Sequence, residues 1–317
     1  MLHKNILNYV AVIVIGLFLS ACSNPERPLR VGSNQWLGYE TLYLARSLGY
    51  FDEKHIELVE LNSATTVAHA FQNEILDVAA LTLDEVLTLM QTEDDLRVIL
   101  VMDTSNGADA LLAAPSITTL GGLKGKRIGV ENTAVGALVL VAALTEANLT
   151  VSDVQVVPLT VDKHFLGFKE GRVDAVVSFE PVITRLHKAG ARILFDSTHM
   201  PNQIIDVLVT RQSVIDSRSP ALKTLIEQQF KALRYFEAEP DKSVMLMSPR
   251  LATSAEALML AYKGVKLPNR QANRRMMAGQ QSPLMKSVEK LVSVMMKEKL
   301  LYKKPLIKQL IDARFIQ

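Results

Sequence analysis

The chain has 317 residues, with 35 Lys plus Arg against 33 Asp plus Glu and a net charge of +2. That balance excludes a nucleic-acid clamp, which needs a basic excess gathered in stripes. An apolar content of 49% with 21% charged residues excludes a disordered chain. A single Cys excludes a disulfide framework and a Cys-rich zinc site within the chain.

Residues 1–22 read MLHKNILNYVAVIVIGLFLSAC. Lys4 precedes an apolar run from Tyr9 to Leu19 that falls short of the roughly 20 apolar residues of a membrane span and has the layout of a signal peptide. Leu19-Ser20-Ala21-Cys22 resembles the lipobox of bacterial lipoproteins. The resemblance implies cleavage before Cys22 and lipid (a palmitate-type chain) on that residue, with anchoring in the cell envelope. Ser23 in place of Asp favours the outer membrane by the same resemblance. The expected layout is a leader over 1–21, a tether over 22–28, and a body facing the periplasm or the cell surface, where soluble nucleotide cofactors are not expected.

The body alternates strands and helices. Leu29 to Gly32 predicts a strand, followed by a polar-aromatic loop, Ser33-Asn34-Gln35-Trp36-Leu37-Gly38-Tyr39, and a helix from Glu40 to Leu48 stopped by Gly49. Strand signals follow at His55–Leu61, Asp77–Leu83 and Leu96–Met102, separated by helices from Thr65 to Asn73 and from Asp84 onward, where Asp84 is an N-cap candidate. The pattern then restarts. Ala110–Ala114, Arg127–Val130, Val154–Leu159, Val173–Phe179 and Ala191–Phe195 read as strands, interleaved with helices at Thr133–Ala147, Asp162–Glu170 and Glu180–Ala189. Ile204–Thr210 is one more apolar strand, and the remainder is helical, with Ser219-Pro220 as a helix start.

Two α/β modules follow from this order, the second inserted into the first: lobe 1 over 29–109 plus 204–317, lobe 2 over 110–203. Strands separated by helices predict mostly parallel sheets flanked by helices. Two chain crossings form a hinge, and the strand ends face a cleft.

Four pieces carry a resemblance: Trp36-Leu37-Gly38-Tyr39; Gly49-Tyr50-Phe51; Leu120 to Val130 (LGGLKGKRIGV); and Gly171-Arg172-Val173-Asp174-Ala175 followed by Glu180-Pro181. In this order and spacing, over about residues 29–240, the chain resembles the solute-binding proteins of ABC importers for nitrate, sulfonates, taurine and thiamine-type pyrimidine precursors. The resemblance implies a two-lobed type II periplasmic-binding-protein fold and capture of a small solute by hinge closure for delivery to a permease. It implies no cofactor, no metal and a monomer.

The residues themselves place ligand chemistry at the strand ends. Trp36 and Tyr39, set among Asn34, Gln35 and Gly38, offer flat surfaces for a planar or cationic ligand. Ser63, Thr82, Asn106, Asn132 and Thr133 add polar groups, Thr133 at the start of a helix. The stretch Asn132 to Gly136, with one hydroxyl on Thr133 and no Arg, is poorer in anion donors than the sulfonate and nitrate binders the chain resembles, which argues against an inorganic anion. Asp84, Asp109, Glu180 and Asp206 stand near strand ends or crossings. An acidic cluster in a closed cleft needs compensation from a ligand carrying an amine, amidine or aminopyrimidine, and an aminosulfonate also brings such a group. The alternatives are that Asp84 caps its helix and that Glu180 sits in the first turn of another.

Other signals point elsewhere. Gly121 to Arg127 lacks phosphate-loop spacing and reads as a basic surface turn. His55, His69, His164, His187 and His199 show no metal spacing and read as surface or helix-end residues. The Met-rich and Lys-rich C-terminal region reads as core filler and a solvated face. The expected function is a lipid-anchored importer receptor. Its alternative is a sensor subunit presenting occupancy to a membrane histidine kinase or cyclic-dinucleotide enzyme. Relatives of the fold make a pyrimidine precursor or dehydrate small acids, and those that make the pyrimidine carry a Cys-rich segment that this chain lacks.

Overall fold

The computed structural model describes residues 27–317. The expected leader, Cys22 and Ser23 lie outside the described residues.

Lobe 1 holds β1 (Leu29–Ser33), β2 (Ile56–Glu60), β3 (Val78–Thr82), β4 (Leu96–Ser105), β10 (Ile205–Arg211) and the short β11 (Val265–Lys266) in the order β11-β4-β10-β3-β1-β2. Lobe 2 holds β5 (Asp109–Ala113), β6 (Arg127–Val130), β7 (Gln155–Pro158), β8 (Ala175–Phe179) and β9 (Arg192–Asp196) in the order β7-β6-β8-β5-β9. The continuous apolar runs of β3 and β10 are buried at every position, as expected for strands covered on both faces. Helices α1 (Glu40–Ser47), α2 (Ala64–Gln72) and α3 (Leu83–Leu89) belong to lobe 1; α4 (Ala134–Glu146), α5 (Val161–Lys169) and α6 (Val182–Lys188) belong to lobe 2. The chain then returns through α7 (Gln212–Ala238). This helix is broken at Arg218, just before Ser219-Pro220, where the sequence signals a fresh start.

The two-lobed α/β architecture is the expected one, but the sheets are mixed rather than mostly parallel. β1 pairs in parallel with β2 and β3, and β6 with β7 and β8. β10 runs antiparallel to β3 and β4, and β5 antiparallel to β8 and β9. The antiparallel pairs involve the strands next to the crossings. A chain that leaves one lobe along β4 and returns along β10 traverses that sheet in opposite directions, and the apolar periodicity that marks a strand carries no information about its direction.

The crossings are tied to each other. Ser105 and Ser197 share a hydroxyl hydrogen bond of 2.8 Å, and the Gly107 N–H donates to Ser197 Oγ at 2.6 Å. Gly107 adopts φ +115°, a conformation glycine reaches without strain.

Candidate binding site

Strand register assembles the floor of the cleft. The antiparallel pairing of β10 sets Asp206 opposite both Thr82 on β3 and Asp103 on β4. Cross-strand partners share a face, so two acids are forced side by side. In lobe 2 the pairing of β5 with β8 sets Asp109 opposite Phe179.

The loop after β1 folds over these acids. Trp36 donates its indole N–H to Asp103 Oδ2 at 3.0 Å, and the Tyr39 hydroxyl donates to Asp206 Oδ1. Gly38 makes the approach possible, because a Cβ there would overlap the Asp103 carboxylate. At the head of α3, Glu85 Oε2 accepts the Thr82 N–H at 3.0 Å. Trp36 also meets Phe179 of lobe 2 edge-on, with ring centroids 5.6 Å apart and an interplanar angle of 88°.

A second strap crosses the cleft at Glu131. Its Oε1 accepts from the N–H and hydroxyl of Thr65, at the start of α2 in lobe 1, at 3.1 and 2.8 Å. Its Oε2 accepts the Val161 N–H of lobe 2 at 3.2 Å. The lobes therefore meet in a closed arrangement. The inner cavity left between them measures about 20 Å3, room for about one water. An outer opening of about 230 Å3 lies at Gln35, Glu60, Val161 and Arg185.

The electrostatics of the inner cavity are one-sided. Its walls include Glu85, Asp109 and Asp206, and neither Lys nor Arg is among the lining residues. Burial pushes Asp84, Asp103 and Asp109 up to about 7 and Glu85 up to about 8, and it raises Asp206 well above the usual carboxylate range. Mutual repulsion adds to each shift: Asp109 acts on Asp84 and Asp103, Asp84 on Glu85, Glu180 on Asp109, and Asp103 on Asp206. Both oxygens of Asp84, and one each of Glu85, Asp103, Asp109 and Asp206, are buried without a hydrogen-bond partner among the described residues. No group of three or more His, Cys, Asp or Glu among the described residues is arranged to hold a metal ion.

The structure brings Asn34, Trp36, Tyr39, Thr82 and Asp206 to the cavity wall, with Gly38 beneath them. Asp84 is fully buried beside this group, within electrostatic reach of Asp109. Gln35 stands at the outer opening, its amide bound to Glu60 and the Arg250 carbonyl. Thr133 caps α4 by accepting the Gly136 N–H, and lines a satellite cavity of about 10 Å3 with Glu131 and His164.

Four residues are used elsewhere. Ser63 caps α2 through the Thr66 N–H. Asn106 accepts from Lys266 Nζ at the hinge. Asn132 faces solvent. Glu180, two residues before α6, accepts the N–H and hydroxyl of Thr184 in the first turn of that helix, close to the helix-start alternative for that residue. His164 is a correction to the surface reading: it is buried, bonded to Ser178 Oγ and the Leu159 carbonyl, and burial lowers it to about 4.

Asp103, Glu85, Glu131 and Phe179 were not singled out by the sequence. Asp103 closes an apolar strand run, and Glu85 completes a Thr-x-x-Glu helix start at Thr82. Both signals describe local structure before they describe a site.

Two lobes joined by a tied double crossing, with aromatic and acidic side chains meeting between them, define a hinged periplasmic-binding-protein fold. Residues 23–247 match the model of the NMT1-like family, and the chain belongs to that family. Among solved structures, it superposes on the alkanesulfonate-binding protein SsuA of Xanthomonas axonopodis pv. citri, bound to MOPS. That match has a TM-score of 0.77 and 16% identity, and it covers 92% of this chain and 100% of that one. The desulfurization enzyme DszB shares the fold at TM-score 0.66 and 17% identity, over 92% and 98% of the two chains. A binding protein of Brucella abortus is 25% identical over 150 residues, 46% of this chain. The match spans about half of that relative, 47% of its length. Among the described residues no helix is long and apolar enough to cross a membrane.

Proposed function

We propose that this chain is a lipid-anchored extracytoplasmic receptor that captures a small nitrogen-containing organic solute by hinge closure and hands it, chemically unchanged, to an ABC importer. The observation that carries this reading is the interlobe contact set. Trp36 meets Phe179 and Glu131 meets Thr65 from opposite lobes around a cavity whose acids, Glu85, Asp109 and Asp206, each keep one unpartnered oxygen among the described residues. Contacts of this kind exist only when the lobes are together, so whatever fills the cavity and satisfies its walls favours the closed state.

Family membership and the structural likeness to sulfonate receptors support the receptor role. Binding rather than catalysis is supported by the chemistry of the cleft. The only Cys of the chain is Cys22, at the start of the tether, so the cleft carries no thiol nucleophile. The lipobox supports the anchor.

Two measurements test the reading. Protein purified from its native cells and denatured is expected to release a small nitrogen-containing compound that the folded protein rebinds and does not alter; turnover of that compound overturns the receptor role. Labelled palmitate is expected to mark the full chain and not Cys22→Ser; equal labelling overturns the anchor.

A further inference from the structure

Resting on that receptor reading, we infer that the cleft selects a compact organic cation with several N–H donors, an ammonium, guanidinium or amidinium group, and rejects sulfonates. The argument begins with what surrounds the cavity. Glu85 and Asp206 come from lobe 1 and Asp109 from lobe 2, each at least nine-tenths buried, and each keeps an oxygen with no hydrogen-bond partner. Asp103 backs Asp206 across the β4–β10 pairing, with one oxygen held by Trp36 and the other free.

No protein cation enters this space to compensate these acids. Trp36, Tyr39 and Phe179 wall it with ring surface, and ring faces attract cations. A sulfonate placed here would bring further negative charge against carboxylates and would find no guanidinium or ammonium to receive it. A cation that forks its N–H groups between Asp206 and Glu85 on one side and Asp109 on the other neutralises both lobes at once, and so drives closure. The closed cavity has room for about one water, so it favours a compact charged head, and a head larger than an ammonium holds the lobes further apart than in this structure.

Trp36 is the only tryptophan of the chain and sits at this wall, so its fluorescence reports the cavity directly. The experiment titrates the chain from Ser23 onward, which includes every described residue, with putrescine, agmatine, acetamidine and guanidinium. Methanesulfonate and taurine form a matched anionic and zwitterionic set. Trp36 fluorescence and the melting temperature are both followed.

At least one cation is expected to change the fluorescence saturably and to raise the melting temperature. Binding is expected to weaken at least about tenfold in both Asp206→Asn and Asp109→Asn, isosteric changes on opposite lobes. Each variant's circular dichroism and unliganded melting curve show whether it is folded, and the pair ensures that one poorly folded variant does not decide the result. Saturable binding of methanesulfonate or taurine overturns the cation assignment and leaves the receptor reading standing. Cation binding unchanged in both folded variants also overturns it. Silence from both sets of compounds overturns the cation assignment, while the receptor reading is decided separately by the compound released from protein purified from its native cells.

Discussion

Two buried acidic regions of this molecule are solved in opposite ways. Beside the outer opening, Glu40 is wholly buried, and Arg250 reaches it at 2.8 Å, reaches Glu60 at 2.8 Å, and lies over the Tyr43 ring at 3.5 Å. Elsewhere Arg211 pairs with Glu93 at 2.9 Å, and Arg27 with Asp77 at 2.6 Å. In the cleft, Asp84, Glu85, Asp103, Asp109 and Asp206 are as deeply buried, and among the described residues no arginine or lysine pairs with any of them. The sequence supplies 35 Lys and Arg, so the difference is one of placement. Where acids only hold the fold together, the chain provides the cation itself. Where they face the hinge, compensation is left to something that comes and goes. That is the economy expected of a receptor, because a resident arginine would occupy the site permanently and remove the closing force.

The largest test of this contrast is a pair of substitutions. Arg250→Ala strands Glu40 and frees Tyr43, and is expected to cost about 3 kcal/mol of unfolding free energy, the low end for a broken buried pair because Glu40, already pushed up to about 8, takes a proton. Asp206→Asn removes an uncompensated buried acid, and is expected to leave unliganded stability unchanged or raised at neutral pH. Urea midpoints of the two variants against the parent measure both effects. If the two substitutions destabilise equally, the regions are equivalent and the comparison fails.

The pH dependence of stability sharpens the same comparison at intermediate size. For the cleft acids the folded state binds protons more tightly than the unfolded chain. No stability is lost below the ordinary carboxylate range, and it falls as pH rises toward the raised values of about 7 to 8. Asp206 and Glu180 shift in the same direction, as does Glu40, which burial raises to about 8 in spite of Arg250, and Tyr39 stays protonated throughout. Asp77 behaves the other way. Despite its burial, hydrogen bonds from Arg27 and Arg30 hold it below the usual range, so its contribution is present above that range and disappears only in acid.

Unliganded protein is therefore expected to be most stable near about pH 4, at the ordinary carboxylate range, and to weaken toward about pH 8. A bound cation flattens that slope. Chemical denaturation across this range checks it, and a flat or rising profile without ligand contradicts the raised values.

Much of this site is legible in the sequence, and the limit has a physical cause. Trp36, Tyr39 and Asp206 are recognisable because each stands where a strand meets a loop, the position from which a cleft is lined. Asp103 and Glu85 are hidden because their neighbours in space are set by register. The pairing that puts Asp103 beside Asp206 joins distant strands, and nothing in LRVILVMDTS announces its partner. The insertion of one lobe into the other is visible in the repeat of strand and helix signals. The antiparallel direction of the crossing strands is not, since direction leaves no periodicity. Asn106 shows the converse error of sequence logic: a polar residue at a strand end is a fair candidate, but a hinge also needs polar groups to tie its two crossings.

The smallest effect isolates that last point. Asn106 accepts from Lys266 Nζ at 3.0 Å and lies outside both the inner cavity and the outer opening. Its backbone N–H, which donates to the Gly264 carbonyl at 2.8 Å, survives any side-chain change. Asn106→Ala therefore removes one partly exposed side-chain hydrogen bond, and is expected to cost about 0.5 kcal/mol of stability. Titration of this variant by Trp36 fluorescence is expected to give the parent affinity within about twofold, a difference of about 0.4 kcal/mol. A loss comparable to that of Asp206→Asn would mean that the hinge residue contacts the ligand or sets the closed geometry, and the division between acids that wait for a cation and polar groups that hold the crossings would have to be redrawn.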